Sequence, residues 1–153
     1  MLTNLNLDYF IRTNVTKRPE SLLKPDLEKF QDELAARLNG KSVLVVGGAG
    51  TIGSHYIKAI LKFSIERLVV VDINENGLTE LVRDLRSTAG NTIPPEFITY
   101  PMNFGDRVFE KMFLSLAPFD IVANFAAHKH VRSEKDIFSV EAMIENNVLK
   151  AQQ

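Results

Sequence analysis

VLVVGGAGTIGSHYIKAI, residues 43–60, carries the clearest structural pattern in the chain. An aliphatic run of strand length is followed at once by glycines at 47, 50 and 53, and then Ile52, Tyr56, Ile60 and Phe63 recur at helical spacing. The order is strand, tight turn, helix. In the pattern G-x-x-G-x-x-G, missing side chains let the turn close, let its backbone approach a bound group, and let the helix pack against the strand. The amides of Thr51 and Ile52 would open that helix at its positive end, where an anion is stabilised.

RLVVVD at 67–72 is a second run of strand length, ending in an acid. Asp72 lies 19 residues beyond Gly53, against about 20 in the dinucleotide-binding fingerprint. Read so, the turn holds a diphosphate, and Asp72 accepts hydrogen bonds from the adjoining ribose hydroxyls. Its charge would repel a 2′-phosphate, which favours NAD over NADP. No Arg follows the last glycine, where Ser54 and His55 stand, and Ile73 and Asn74 follow the acid. Plainer alternatives stay open: a structural turn, with Asp72 as a strand-end turn former, or the same turn serving a mononucleotide or S-adenosylmethionine.

The remaining chain repeats the alternation. Leu78, Leu81, Val82 and Leu85 mark a helix stopped near Gly90, EFITYP at 96–101 suggests a third strand, and Asp106 stands as N-cap to a helix carrying Phe109, Met112, Phe113 and Leu116. FDIVANF at 119–125 predicts a fourth strand, and Val140, Met143, Ile144 and Val148 a last helix. Such alternation predicts right-handed crossovers and a Rossmann-like, doubly wound parallel sheet of about four strands within 40–153. Residues 1–25 read as a polar arm. Leu27, Phe30, Leu34 and Leu38 predict an amphipathic helix over 26–39, capped by Asn39-Gly40.

Composition narrows the partners. The 153 residues are 45% apolar and 24% charged, with a formal charge of −1, so no basic field exists to select nucleic acid or anionic lipid. No cysteine is present, which excludes disulfides, thiolate metal sites and a Cys nucleophile. Three histidines without a carboxylate at ligand spacing predict no metal site. The apolar runs fall far short of the ~20 residues of a membrane helix, no leader pattern opens the chain, and a cytoplasmic location is expected.

The glycine spacing in VVGGAGTIGS resembles the extended short-chain dehydrogenase/reductase superfamily. ILKFSIERLVVVDINENGLTEL at 60–81, NFAAHKHVRSEKD at 124–136 and ENNVL at 145–149 resemble its polysaccharide-biosynthesis branch of UDP-N-acetylhexosamine 4,6-dehydratases. The resemblance implies that Gly47, Gly50, Thr51, Ile52 and Gly53 hold the diphosphate of NAD, and Asp72 its adenosine ribose. It implies that Asn103 and Phe104 flank the adenine, that Ala126 and Ala127 pass beneath the second ribose and the nicotinamide, and that Asn147 belongs to the cofactor site. Lys129 and His130 would lie near a UDP-sugar substrate; without the resemblance they read as a solvated basic loop. Departures from the branch are Asn103 for Asp, Asn124 for His, Phe125 for Ala, Asn146 for Thr and Lys150 for Gly.

In that superfamily a Tyr with a Lys four residues on removes the hydroxyl proton as hydride leaves for the nicotinamide. Here Tyr9 is followed by Thr13, Tyr56 by Ile60 and Tyr100 by Phe104. No catalytic residue is therefore assigned. The expectation is the N-terminal part of a nucleotide-sugar dehydratase or epimerase that acts by transient C4 oxidation, inactive as this chain alone. A non-catalytic NAD-binding regulatory module is the alternative. Self-association is also expected, because a four-stranded sheet leaves its last edge uncovered.

Overall fold

The computed structural model describes residues 6–18, 20, 22–88, 90, 92–128 and 136–152. It divides into two units, 1–36 and 37–153.

The first unit contains α1 (Leu7–Phe10), a wide helical turn over Ile11–Val15, α2 (Lys24–Lys29) and most of α3 (Gln31–Leu38). The spacing predicts one helix over 26–39, but the chain forms two. Phe30 leaves the helical region at φ −104° and ψ 14°, and its N–H closes α2 on the Asp26 carbonyl. Leu27 and Phe30 are 44% and 43% exposed, so no continuous apolar stripe is buried there to hold the two pieces in line. Gly40 then adopts the left-handed conformation, with φ 70°, as expected of a residue just past a helix end.

In the second unit, β1 (Ser42–Val46), β2 (Arg67–Asp72), β3 (Glu96–Pro101) and β4 (Ile121–Asn124) form a parallel sheet in the order β3-β2-β1-β4. Val45 of β1 stands between Val70 of β2 and Ala123 of β4. Alternation along β1 divides the core in two. Val43 and Val45 face one apolar cluster with Val70, Ile57, Leu81 and Leu85, while Leu44 and Val46 face another with Val69, Val71, Phe104 and Met112. The first cluster draws on α4 (Thr51–Ile60) and α5 (Glu75–Ser87), the second on α6 (Arg107–Leu116). Both faces of β1 and β2 are thus covered, which is why their buried stretches, 43–46 and 68–71, are aliphatic throughout.

The flanking strands β3 and β4 are only half-buried. Beyond β4 no further strand pairs among the described residues. At the amino end of the sheet the Asp120 carboxylate accepts hydrogen bonds from the Ser42 N–H and the Lys41 ammonium, both at 2.9 Å, and ties β4 to β1. The Ser42 amide and the Lys41 ammonium hold its carboxyl below the usual carboxylate range.

The last helix, α7 (Ile137–Ile144), is capped by Asp136, whose Oδ1 accepts from the N–H groups of Phe138 and Ser139. It runs on through a π-helical turn, Glu145–Leu149, into a 3-10 turn, Lys150–Gln152. Asp106 does occupy the N-cap position of α6 but makes no side-chain cap hydrogen bond. Among the described residues no helix is long and apolar enough to cross a membrane.

Candidate functional site

Beyond the carboxyl ends of the strands the order reverses: from β1 the chain crosses to β2 on one side and reaches β4 on the other. Such switch points open a crevice for ligands in doubly wound sheets. A cleft of about 310 Å³ lies there, lined from the turn after β1, the end of β2, the loop after β3 and the loop after β4.

The glycines build its floor. Gly47 has φ 76°, and a Cβ on it would come within 2.5 Å of the Ala126 nitrogen, so the β4 loop rests directly on the glycine turn. A Cβ at Gly53 would meet the Gly47 carbonyl oxygen at 2.3 Å, which fixes the close seat of α4. Gly50 is different. Its backbone is extended, with φ −72° and ψ 165°, and a Cβ would find only the Gly47 oxygen, at 3.4 Å. Among the described residues nothing in the packing demands a glycine at 50; the bare backbone faces the cleft. Gly50 also starts α4 without any side-chain cap, and Thr51, Ile52 and Gly53 line the cleft beside it. An uncapped helix amino end of this kind can hold an anion.

Asp72 closes β2 on the opposite wall. Its Oδ2 accepts from the Ala49 N–H and its Oδ1 from the Asn74 N–H, each at 2.9 Å. The carboxylate is therefore both the turn former and the tether of the glycine loop, and its remaining lone pairs leave room for further donors. Among the described lining residues it is the one carboxylate, and neither Lys nor Arg is present.

Of the residues singled out in the sequence, Gly47, Gly50, Thr51, Ile52, Gly53, Asp72, Asn103, Phe104, Ala126 and Ala127 all line this one cleft. Asn147 does not. Its side chain lies along the β4 loop, where Oδ1 accepts from the His128 N–H at 2.8 Å and Nδ2 donates to the His128 carbonyl at 2.9 Å. The neighbouring Asn146, 6% exposed, lines the cleft instead and donates to Asn147 Oδ1 at 3.2 Å. Lys129 and His130 lie outside the described residues.

Sequence reasoning also left out Ile73, Met102, Phe125 and His128 from the lining. Phe125, a departure from the resembled loop, was the available signal. Its ring packs against Tyr56 at a centroid distance of 5.1 Å, and burial pushes the Tyr56 phenol up from its ordinary pKa. Among the described residues, no group of three or more His, Cys, Asp or Glu is arranged to hold a metal.

A parallel sheet with this strand order, a glycine turn at its switch point and an acid ending β2 defines a Rossmann-like α/β unit. Solved structures share that fold. One is Pen from Bacillus thuringiensis, 23% identical with a TM-score of 0.60 over 75% of this chain and 34% of that one. Another is the Bordetella bronchiseptica enzyme WbmF in complex with NAD+, 25% identical with a TM-score of 0.53 over 76% of this chain and 31% of that one. Residues 43–153 match the model of the polysaccharide biosynthesis protein family. The chain belongs to that family.

Two curated relatives agree. The probable polysaccharide biosynthesis protein EpsC of Bacillus subtilis is 30% identical over 119 residues, 76% of this chain and 19% of the relative. The capsular polysaccharide biosynthesis protein CapD of Staphylococcus aureus is 30% identical over 131 residues, 85% of this chain and 21% of the relative. The chain thus spans about a fifth of the length of these relatives.

Proposed function

We propose that this chain is the NAD-binding part of an enzyme that modifies a nucleotide sugar in polysaccharide biosynthesis. The observation that carries the reading is the convergence, in one cleft at the switch point, of an uncapped helix amino end, a glycine that no packing contact among the described residues requires, and the acid closing β2. WbmF was solved in complex with NAD+ and, in a second structure, with NAD+ and UDP, which supports the same ligand classes here.

In this reading the amides of Thr51 and Ile52 hold the diphosphate over Gly50, and Asp72 accepts from the adenosine ribose. Asn103 and Phe104 flank the adenine, and the backbone of Ala126 and Ala127 carries the second ribose. NAD is favoured over NADP because Asp72 brings negative charge to the place a 2′-phosphate would take, with no cation beside it among the described lining residues. The nicotinamide supplies a hydride acceptor when bound. For the whole protein we propose transient oxidation at C4 of a UDP-sugar, with dehydration or epimerisation as outcome. No Tyr here has a Lys four residues on, so this chain by itself is proposed to bind without turning over.

Calorimetric titration tests the reading. NAD is expected to bind, with NADP, S-adenosylmethionine and GDP at least tenfold weaker, and Asp72→Ala is expected to lower NAD affinity by about tenfold or more, the scale of a charge-assisted hydrogen-bonded pair. Tighter binding of S-adenosylmethionine or GDP would replace the assignment. We further propose that the unpaired side of β4, where Val122 is 54% exposed, makes the isolated chain self-associate. Light scattering that stays monomeric as concentration rises would refute this.

A further inference from the structure

We propose that the turn after α7 is a two-point brace that fixes the width of the cleft, and that Lys150 is its positioning residue on the β3 side. The inference rests on the dinucleotide reading above.

One contact holds the β4 rim: the Asn147 side chain makes two hydrogen bonds to the backbone of His128, next to Ala126 and Ala127. The other holds the β3 rim. The Lys150 side chain is only 20% exposed and its ammonium lies 3.6 Å from Asp106 Oδ1. Its methylenes lie over Gly105, where a Cβ would come within 2.9 Å of them. Gly105 has φ 76°, so this backbone shape suits glycine. It immediately follows Asn103 and Phe104, which line the cleft.

Asp106 supports the assignment from the other side. It stands at the N-cap of α6 yet caps nothing; its carboxylate faces Lys150 instead. The π-helical turn Glu145–Leu149 joins the two contacts, and such turns inside helices occur frequently at functional sites. Neither Asn147 nor Lys150 lines the cleft, so each acts through the loop it holds. A lysine at 150 both covers the glycine with its stem and pairs through its head.

The experiment compares ADP and NAD binding by the unaltered chain, Lys150→Ala, Lys150→Arg and Asn147→Asp. ADP occupies only the β3 side of the proposed site, whereas NAD spans both rims. Lys150→Ala is expected to weaken both ligands about two- to fivefold, less at high salt, as for a partly exposed ion pair. Lys150→Arg should retain affinity. Asn147→Asp, whose carboxylate cannot donate to the His128 carbonyl, should weaken NAD and leave ADP unchanged. Unchanged ADP affinity in Lys150→Ala, or equal losses of both ligands in both variants, overturns the brace.

If the unaltered chain binds neither ligand, the dinucleotide reading fails instead, and amide hydrogen exchange in the free chain decides the brace. Faster exchange at 104–105 in Lys150→Ala alone, and at 128 in Asn147→Leu alone, which removes the acceptor of the His128 N–H, supports it. No change, or a change spread over the sheet, refutes it.

Discussion

Gly50 and Gly53 look alike in the sequence and differ in what they meet. At Gly53 an added methyl would press on the Gly47 carbonyl at 2.3 Å, so Gly53→Ala is expected to destabilise by about 1–3 kcal/mol, the usual scale of overpacking. At Gly50 the methyl fits and φ is ordinary, so Gly50→Ala should keep the melting temperature within a few degrees of the parent. If a diphosphate lies over that backbone, Gly50→Ala lowers NAD affinity at least tenfold in a titration; unchanged affinity would move the phosphates elsewhere. The glycine pattern was legible because Gly47 and Gly53 answer to local geometry, and Gly50, at the spacing between them, to the open cleft. The partner of Asp106 was not, since a carboxylate at an N-cap position reads as a cap and Lys150 lies 44 residues further along the chain.

At the scale of elements, α5 shows a cap that does what its residue type promises. Asn74 Oδ1 accepts from the Gly77 N–H at 3.0 Å, while its own N–H is held by Asp72. Asn74→Ala removes the first bond and keeps the second, and should cost about 1 kcal/mol in chemical denaturation. β1, β2 and α4 were readable because strands buried on both faces and a helix with one apolar face leave plain marks in the residue order. Over 26–39 the apolar spacing predicts one helix, because it reports the period of a helix and not a break at Phe30. Which of Asn146 and Asn147 reaches the cleft was equally hidden: a π-helical turn changes the facing of successive residues, and composition does not announce it.

Among the described residues of the molecule as a whole, three carboxyls are held below the usual range by partners that folding supplies. The Lys58 ammonium does this for Asp84, the Ser42 N–H and Lys41 for Asp120, and the Ser139 hydroxyl and N–H for Asp136. A carboxyl whose folded pKa lies below its unfolded value of about 3.9 adds stability above that pH and loses it as pH falls through the lowered value. Melting temperature should therefore hold level from pH 7 to about 5 and drop below about pH 4. Asp120→Asn should flatten that drop, and an equal fall in parent and variant would remove Asp120 from the account.

The central position of β1 has a consequence for how the chain reaches its native state. One neighbour of Val45, Val70, is 25 residues away, whereas the other, Ala123, is 78 residues away. Distant pairings of this kind slow the search, because the intervening loop must close before the contact repays it. During synthesis a three-stranded intermediate would form first, with one flank of β1 bare until the fourth strand leaves the ribosome, and that interval is when a chaperone has most to protect.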